Sequence, residues 1–266
     1  KGKKMIFDSH AHYDAEQFDI DRDELLASLP EAGVGTVVNV SASCESWKRC
    51  VEMAAKYPYI YAAVGTHPDE VGGLNEETFA EMKEWCKKDK VVAIGEIGLD
   101  YYWDNEAHDV QKKWFIRQLN LAREMNLPVI IHSREAAADT MEIMKEHAQG
   151  LDGVIHCYSY AREQAEEYVK MGFYIGIGGV VTFKNAKKLK EVAEIIFRKG
   201  NMEAAIGCDQ KNFYSLKMKL EEFPMPEKHS PSINYEFNLH PLKTAFTNSN
   251  EIVYNITAFY FKKNGI

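Results

Sequence analysis

Short apolar, β-branched runs recur along most of this chain, and an amphipathic helical stretch separates each from the next. Runs at residues 5–7, 34–40, 59–64, 91–94, 129–131, 153–155, 173–177 and 204–206 read as strands. The stretches 23–32, 43–57, 75–88, 110–126, 136–149, 162–171 and 186–199 read as helices, with Ser43 and Asn75 as N-caps and Gly172 and Gly200 as stops. Strands that alternate with helices form βαβ units and a parallel sheet. Eight of them in 266 residues predict an α/β fold, a closed (β/α)8 TIM barrel, whose usual length is about 250 residues. The whole of 1–266 is expected to be one domain. An open doubly wound sheet is the structural alternative, but it would not bring all the strand ends to one point.

The runs end in chemistry. His10 and His12 follow the first strand, His67 the third, Glu96 the fourth, His132 the fifth, His156 the sixth and Asp209 the eighth. Side chains at i and i+2 of a strand share a face, so His10 and His12 project side by side and can share one metal ion. Five of the nine histidines end strands in this way. In a TIM barrel the strand carboxyl ends form the active-site face. Imidazoles with two carboxylates can hold Zn, Mn, Fe or Ni, or Mg with more water. Each oxygen of a carboxylate has its own lone pairs, so Glu96 is placed to bridge two ions; the bland reading is a buried acid paired with Arg134.

Composition narrows the partners. The formal net charge is −8. A protein that binds by broad phosphate neutralisation is ordinarily basic. If this one handles nucleic acid, metal ions must supply the positive charge with local Lys and Arg help. Five cysteines, an odd number with no C-x-x-C pair, point to a reduced, cytoplasmic protein. Cys157 and Cys208 stand beside candidate ligands, where a thiolate ligand is one alternative, and are read as small buried apolar residues. No stretch approaches the roughly 20 apolar residues of a membrane span, and no signal-peptide region stands near the start.

The stretches FDSHAH (7–12), GTHP (65–68), GEIGLDY (95–101), LPVIIHSR (127–134), GVIHC (153–157) and GFYIGIGGVVTFKNA (172–186) resemble the TatD family of metal-dependent hydrolases and deoxyribonucleases, in the same order. The resemblance implies a TIM-barrel hydrolase with one to three divalent ions. It implies ligands at His10, His12, Glu96, His132, His156 and the eighth-strand Asp209. It also implies DNA cleavage, in some members from the 3′ end. Beyond residue 200 the resemblance weakens. Where the family has E-T-D, this chain has Gly207-Cys208-Asp209, and no R-G segment follows. Residues 201–266 are therefore expected to be diverged, frame-shifted or misassigned, which intact mass against the gene sequence would test.

The mechanism expected from these residue types uses two divalent ions, Mg, Mn or Zn. A metal lowers the pKa of bound water from ~15.7 towards ~7, and a pair of ions clamps the attacking and leaving oxygens of a phosphodiester. His10, His12, Glu96 and Asp209 are assigned to one ion, and Glu96, His132 and His156 to the other. Glu96 and Asp209 are the catalytic residues, Asp209 as acceptor of the water's proton. His67 and Arg134 bind phosphate; Arg134 as a structural partner of Glu135 or Asp100 is the alternative. Asp100 and Tyr101 border the site. Tyr101 can stack on a base, and Tyr102 and Trp103 could do the same. The expected substrate is DNA or a small phosphodiester, and the expected state a monomer without membrane contact. Two other functions compete: hydrolysis of a small-molecule ester or amide by the same metals, and a metal-binding barrel inactivated by its altered C-terminus.

Overall fold

The computed structural model describes residues 6–182, 186–196 and 255–256. Seven parallel strands follow one another in chain order: β1 (Ile6–Ala11), β2 (Val34–Val40), β3 (Ile60–Ala63), β4 (Val91–Asp100), β5 (Val129–Arg134), β6 (Gly153–Ile155) and β7 (Tyr174–Ile175). Helices α1 (Arg22–Ala32), α2 (Cys44–Lys56), α3 (Glu76–Cys86), α4 (His108–Met125), α5 (Ala137–His147), α6 (Arg162–Lys170) and α7 (Lys187–Ile196) connect or follow them. Sequential parallel strands with intervening helices make this an α/β barrel of the TIM type. The expected eighth strand, 204–206, lies outside the described residues. A further short strand, β8 (Ile177–Gly178), pairs antiparallel with β9 (Asn255–Ile256).

Two apolar clusters show which way the sheet faces. The larger joins strand residues such as Val37, Ile94 and Ile131 to helix residues Leu26, Trp47, Phe115 and Leu119. The smaller contains strand residues only, Val38, Val40, Ala63, Ala93 and Ile130, and so occupies the inward side of the curled sheet. Val37 and Val38 fall in different clusters because successive strand side chains point to opposite faces. The helix starts follow the expected capping chemistry: Asn75 Oδ1 accepts the N–H groups of Glu77 and Thr78 at 2.8 and 3.0 Å, and Ser43 caps α2.

Several strands run further than their apolar runs. β4 reaches Asp100 and β5 reaches Arg134, because the parallel ladder continues with Gly98 opposite His132, Leu99 opposite Ser133 and Asp100 opposite Arg134. Asp100 and His132 therefore stand on paired strand backbone, while Glu96 falls where the β4–β5 register shifts between Ile94 and Ile97, after a cis Gly95–Glu96 peptide bond. Gly98 permits this close approach: it has φ +147°, and a Cβ there would lie 1.9 Å from the His132 carbonyl oxygen. The expected seventh strand, 173–177, is shorter, and Gly176 separates it from β8.

Candidate metal centre

The strand carboxyl ends bring His10, His12, His67, Glu96, Asp100, His132 and His156 together. His10 Nε2 lies 3.0 Å from His12 Nε2 and 3.0 Å from Glu96 Oε2. The i, i+2 pair thus sits side by side, with ring centroids 4.8 Å apart. His12 Nδ1–H donates to the Val40 carbonyl at 2.7 Å, which leaves its Nε2 lone pair facing the site. The His156 ring stacks on His10 with centroids 3.6 Å apart. His10, Glu96 and His156 each offer an atom to one point, all within 4.8 Å of one another.

A second group stands beside the first. His132 Nδ1 lies 2.9 Å from Glu96 Oε1, and His132 Nε2 lies 2.9 Å from Asp100 Oδ2. The His67 ring meets His132 edge-on at 4.3 Å. His67, Asp100 and His132 again offer atoms within 4.8 Å of one another. Glu96 links the groups, one oxygen towards each. The structure therefore divides the donors differently from the expectation: His156 falls with His10 and Glu96, and His132 with His67 and Asp100. His67 and Asp100, read as flanking residues, stand among the donors themselves. Strand register decides this, because it sets Asp100 and His132 on neighbouring strands with their side chains on one face.

The electrostatics follow from burial. Burial opposes ionisation of Glu96, but the rings of His10 and His156 and hydrogen bonds from His10 and His132 outweigh it and hold the carboxyl well below its ordinary range. Burial lowers His10 and His156 towards the neutral, ligating form. It also lowers His67, with the charge of His132 adding to the effect, to about 4. His132 goes the other way: burial would lower it, but its hydrogen bonds to Asp100 and Glu96 raise it to about 9. Convergent ring nitrogens and carboxylate oxygens, with a backbone carbonyl fixing the His12 tautomer, are a donor set that fits a divalent cation.

The other expected residues take these places. Arg134 does not pair with Glu96, Glu135 or Asp100; its guanidinium lies over the Tyr102 ring, 3.7 Å from the centroid. The Tyr101 ring is stacked on His108 at 3.6 Å, and its hydroxyl donates to Asp139 at 2.7 Å. Asp209 and Cys208 lie outside the described residues. The four described cysteines are free thiols. Among the described residues no helix is long and apolar enough to cross a membrane.

Two buried glutamines of α4 escaped the sequence reading. Gln111 Oε1 accepts the Asp100 N–H at 2.9 Å and its Nε2 donates to the Asp100 carbonyl at 2.9 Å. Gln118 does the same for Thr66, at 2.8 and 3.1 Å, next to His67. Seven residues apart, they share one helix face and brace the two backbones that carry His67 and Asp100. The signal was present as two amides on an otherwise apolar stripe with Trp114, Phe115, Leu119 and Ala122. Asp69 was also missed: its Oδ2 lies 3.5 Å from His67 Nδ1, and burial, with the charge of Asp100 adding to it, raises its carboxyl to about 6.

A TIM-type barrel that gathers imidazoles and carboxylates at its strand carboxyl ends belongs to the class of metal-dependent hydrolases. Residues 7–199 match the family described as TatD related DNase, and the chain belongs to that family. It is 46% identical to the uncharacterized metal-dependent hydrolase YabD of Bacillus subtilis over 193 residues, 72% of this chain and 76% of that one. It is 33% identical to the 3′-5′ ssDNA/RNA exonuclease TatD of Cronobacter sakazakii over 177 residues, 66% of this chain and 67% of that one. The crystal structure of YjjV, a TatD homolog from Escherichia coli K12, superposes with a TM-score of 0.66 at 33% identity, covering 71% of this chain and 74% of that one.

Proposed function

We propose that this metal-dependent hydrolase cleaves phosphodiester bonds of DNA from the 3′ end, as a cytoplasmic monomer carrying two divalent ions, Mg, Mn or Zn. The observation that carries the reading is the pair of donor groups joined through Glu96, whose Oε2 faces His10 at 3.0 Å and Oε1 faces His132 at 2.9 Å. Two adjacent cation positions suit a phosphodiester, which has an attacking and a leaving oxygen to be stabilised at once. The relative described as a 3′-5′ ssDNA/RNA exonuclease supports the same choice.

In this reading His10, His12, Glu96 and His156 would hold one ion and His67, Asp100 and His132 the other, with Glu96 available to both. A bound divalent ion supplies electrophilic stabilisation of the phosphoryl oxygens and acidifies water. The chain's part is to keep the His10, His67 and His156 rings neutral by burial, to hold Glu96 ionised, and to fix His12 through Val40. Asp209 is assigned the attacking water's proton. Arg134, with no carboxylate partner among the described residues, is assigned the substrate phosphate.

The test is degradation of a 5′-labelled single-stranded oligonucleotide with Mg2+, with Mn2+, and with chelator. A metal-dependent ladder that shortens from the 3′ end is expected, and Asp209→Asn should then lower kcat far more than it raises KM. Absence of cleavage by protein shown to hold metal would overturn the nuclease reading in favour of a small ester or amide substrate.

A further inference from the structure

The turn after β4 carries two large aromatic side chains outward: Tyr102 is 50% exposed and Trp103 is 59% exposed. Burying such rings ordinarily contributes to stability, so leaving both in water is a cost to be explained. Ile20 and Val180 are the other exposed large apolar side chains among the described residues, and both also lie in connections that follow a strand. All four side chains therefore lie in connections that follow a strand, and none lies on α1–α7.

The pair is tied to the site. Asp100 Oδ1 accepts the N–H groups of Tyr102 and Trp103 at 2.9 and 3.0 Å, while its Oδ2 faces His132 Nε2 at 2.9 Å. One carboxylate therefore serves the donor group and the aromatic turn together. Arg134, opposite Asp100 in the β4–β5 ladder, lays its guanidinium over Tyr102 at 3.7 Å and lies 5.5 Å from the Trp103 ring centroid. The two rings meet at 84°, with centroids 5.1 Å apart, and are not stacked on each other, so the exposed part of the indole stays open to a base. A cation without an acidic partner among the described residues, beside an exposed indole and joined to the donor groups through Asp100, is complementary to a nucleotide: charge for the phosphate and a flat surface for the base.

We infer that Tyr102, Trp103 and Arg134 form a subsite for single-stranded nucleic acid, in which Trp103 stacks on the base adjoining the scissile phosphate and Arg134 binds a neighbouring phosphate. Tyr102 holds the guanidinium in place. Tyr101, whose ring is covered by His108, takes no part. The subsite rests on the phosphodiesterase reading above and asks for an unpaired base, in keeping with the single-stranded substrate for which the exonuclease relative is named.

Two measurements separate the subsite from that reading. In the first, oligo(dT) is titrated into the full-length protein in chelator, following tryptophan fluorescence. Trp47 and Trp114 are buried and the half-buried Trp85 lies on α3, away from the aromatic turn in the chain, so quenching that disappears in Trp103→Phe is expected. Quenching that persists unchanged in Trp103→Phe overturns the subsite, as does its absence in the wild type. In the second, KM is compared for Trp103→Ala and wild type on an oligonucleotide with its bases and on one abasic at its last two positions. Each change alone should raise KM roughly tenfold, and both together no more than either alone. Additive losses, or none, would sink the stacking role. Trp103-dependent quenching without cleavage would support the subsite and remove the nuclease reading; cleavage without quenching would do the reverse.

Discussion

Glu96 and His132 meet through Oε1 and Nδ1 at 2.9 Å, on neighbouring strands, at the point where the two donor groups join. A carboxamide in place of the carboxylate keeps the shape but offers one oxygen where two are needed. Glu96→Gln is expected to lower bound metal and kcat together, each by about a hundredfold or more in affinity or rate. Elemental analysis after dialysis, alongside the oligonucleotide assay, checks this. Full metal content with full activity would remove Glu96 from the bridge.

The His132–Asp100 pair gives the metal-free protein a characteristic pH dependence. His132 is raised from 6.5 to about 9, so its contribution to stability is complete below pH 6.5 and is lost as pH rises through about 9. Asp100 is lowered from 3.8 to about 2: burial works against this, but the hydrogen bond with His132 and the N–H groups of Trp103 and Tyr102 prevail. Its contribution is complete above pH 3.8 and is lost as pH falls through about 2. In chelator, urea unfolding should show Asp100→Asn well below the wild type at pH 6 and closer to it at pH 9.5. A gap of constant size would mean that the pair does not act this way.

Gln118 satisfies the backbone of Thr66 with both ends of its amide. Gln118→Leu would leave a buried N–H and C=O without partners, at a cost of about 1–3 kcal/mol in stability. It should also weaken metal binding through displacement of His67, although Gln118 touches no donor in either group. Chemical denaturation and a metal titration read the two effects separately. An unchanged metal affinity would confine Gln118 to stability.

Gly98 stands where β4 and β5 come closest. A methyl group there meets the His132 carbonyl, and φ of +147° is costly for any L side chain. Gly98→Ala is expected to destabilise the fold by at least about 2 kcal/mol. Asn75→Ala, far from the site, is expected to cost about 1 kcal/mol through loss of its cap and to leave activity at the wild-type level. Thermal unfolding of both variants gives the comparison.

Much of the site was legible because its signals are local. An apolar run that ends in a titratable residue marks a strand with chemistry at its carboxyl end. The i, i+2 spacing of His10 and His12 determines that their rings share a face. The caps of Ser43 and Asn75 were equally legible, since a cap depends on the few residues that follow it. Asp100 was read only as a neighbour, because the apolar run 91–94 suggested that the strand stopped short of it. Its even spacing from Glu96, across Gly98, was the available sign that both belong to one face of a longer strand.

The sequence by itself determined the alternation of strands and helices, most of the candidate donor side chains and the end of the barrel on which they gather. Each of these depends on neighbours within a few residues. Tertiary structure alone decided how the donors are grouped. That grouping depends on the β4–β5 register, on Gly98 allowing the strands to approach, and on Gln111 and Gln118 bracing two distant backbones. Arg134 likewise lies over Tyr102, two residues beyond the Asp100 that stands opposite it in the ladder, and pairs with no carboxylate among the described residues. Register and packing are relations between segments far apart in the chain, and no local pattern encodes which pairs will meet.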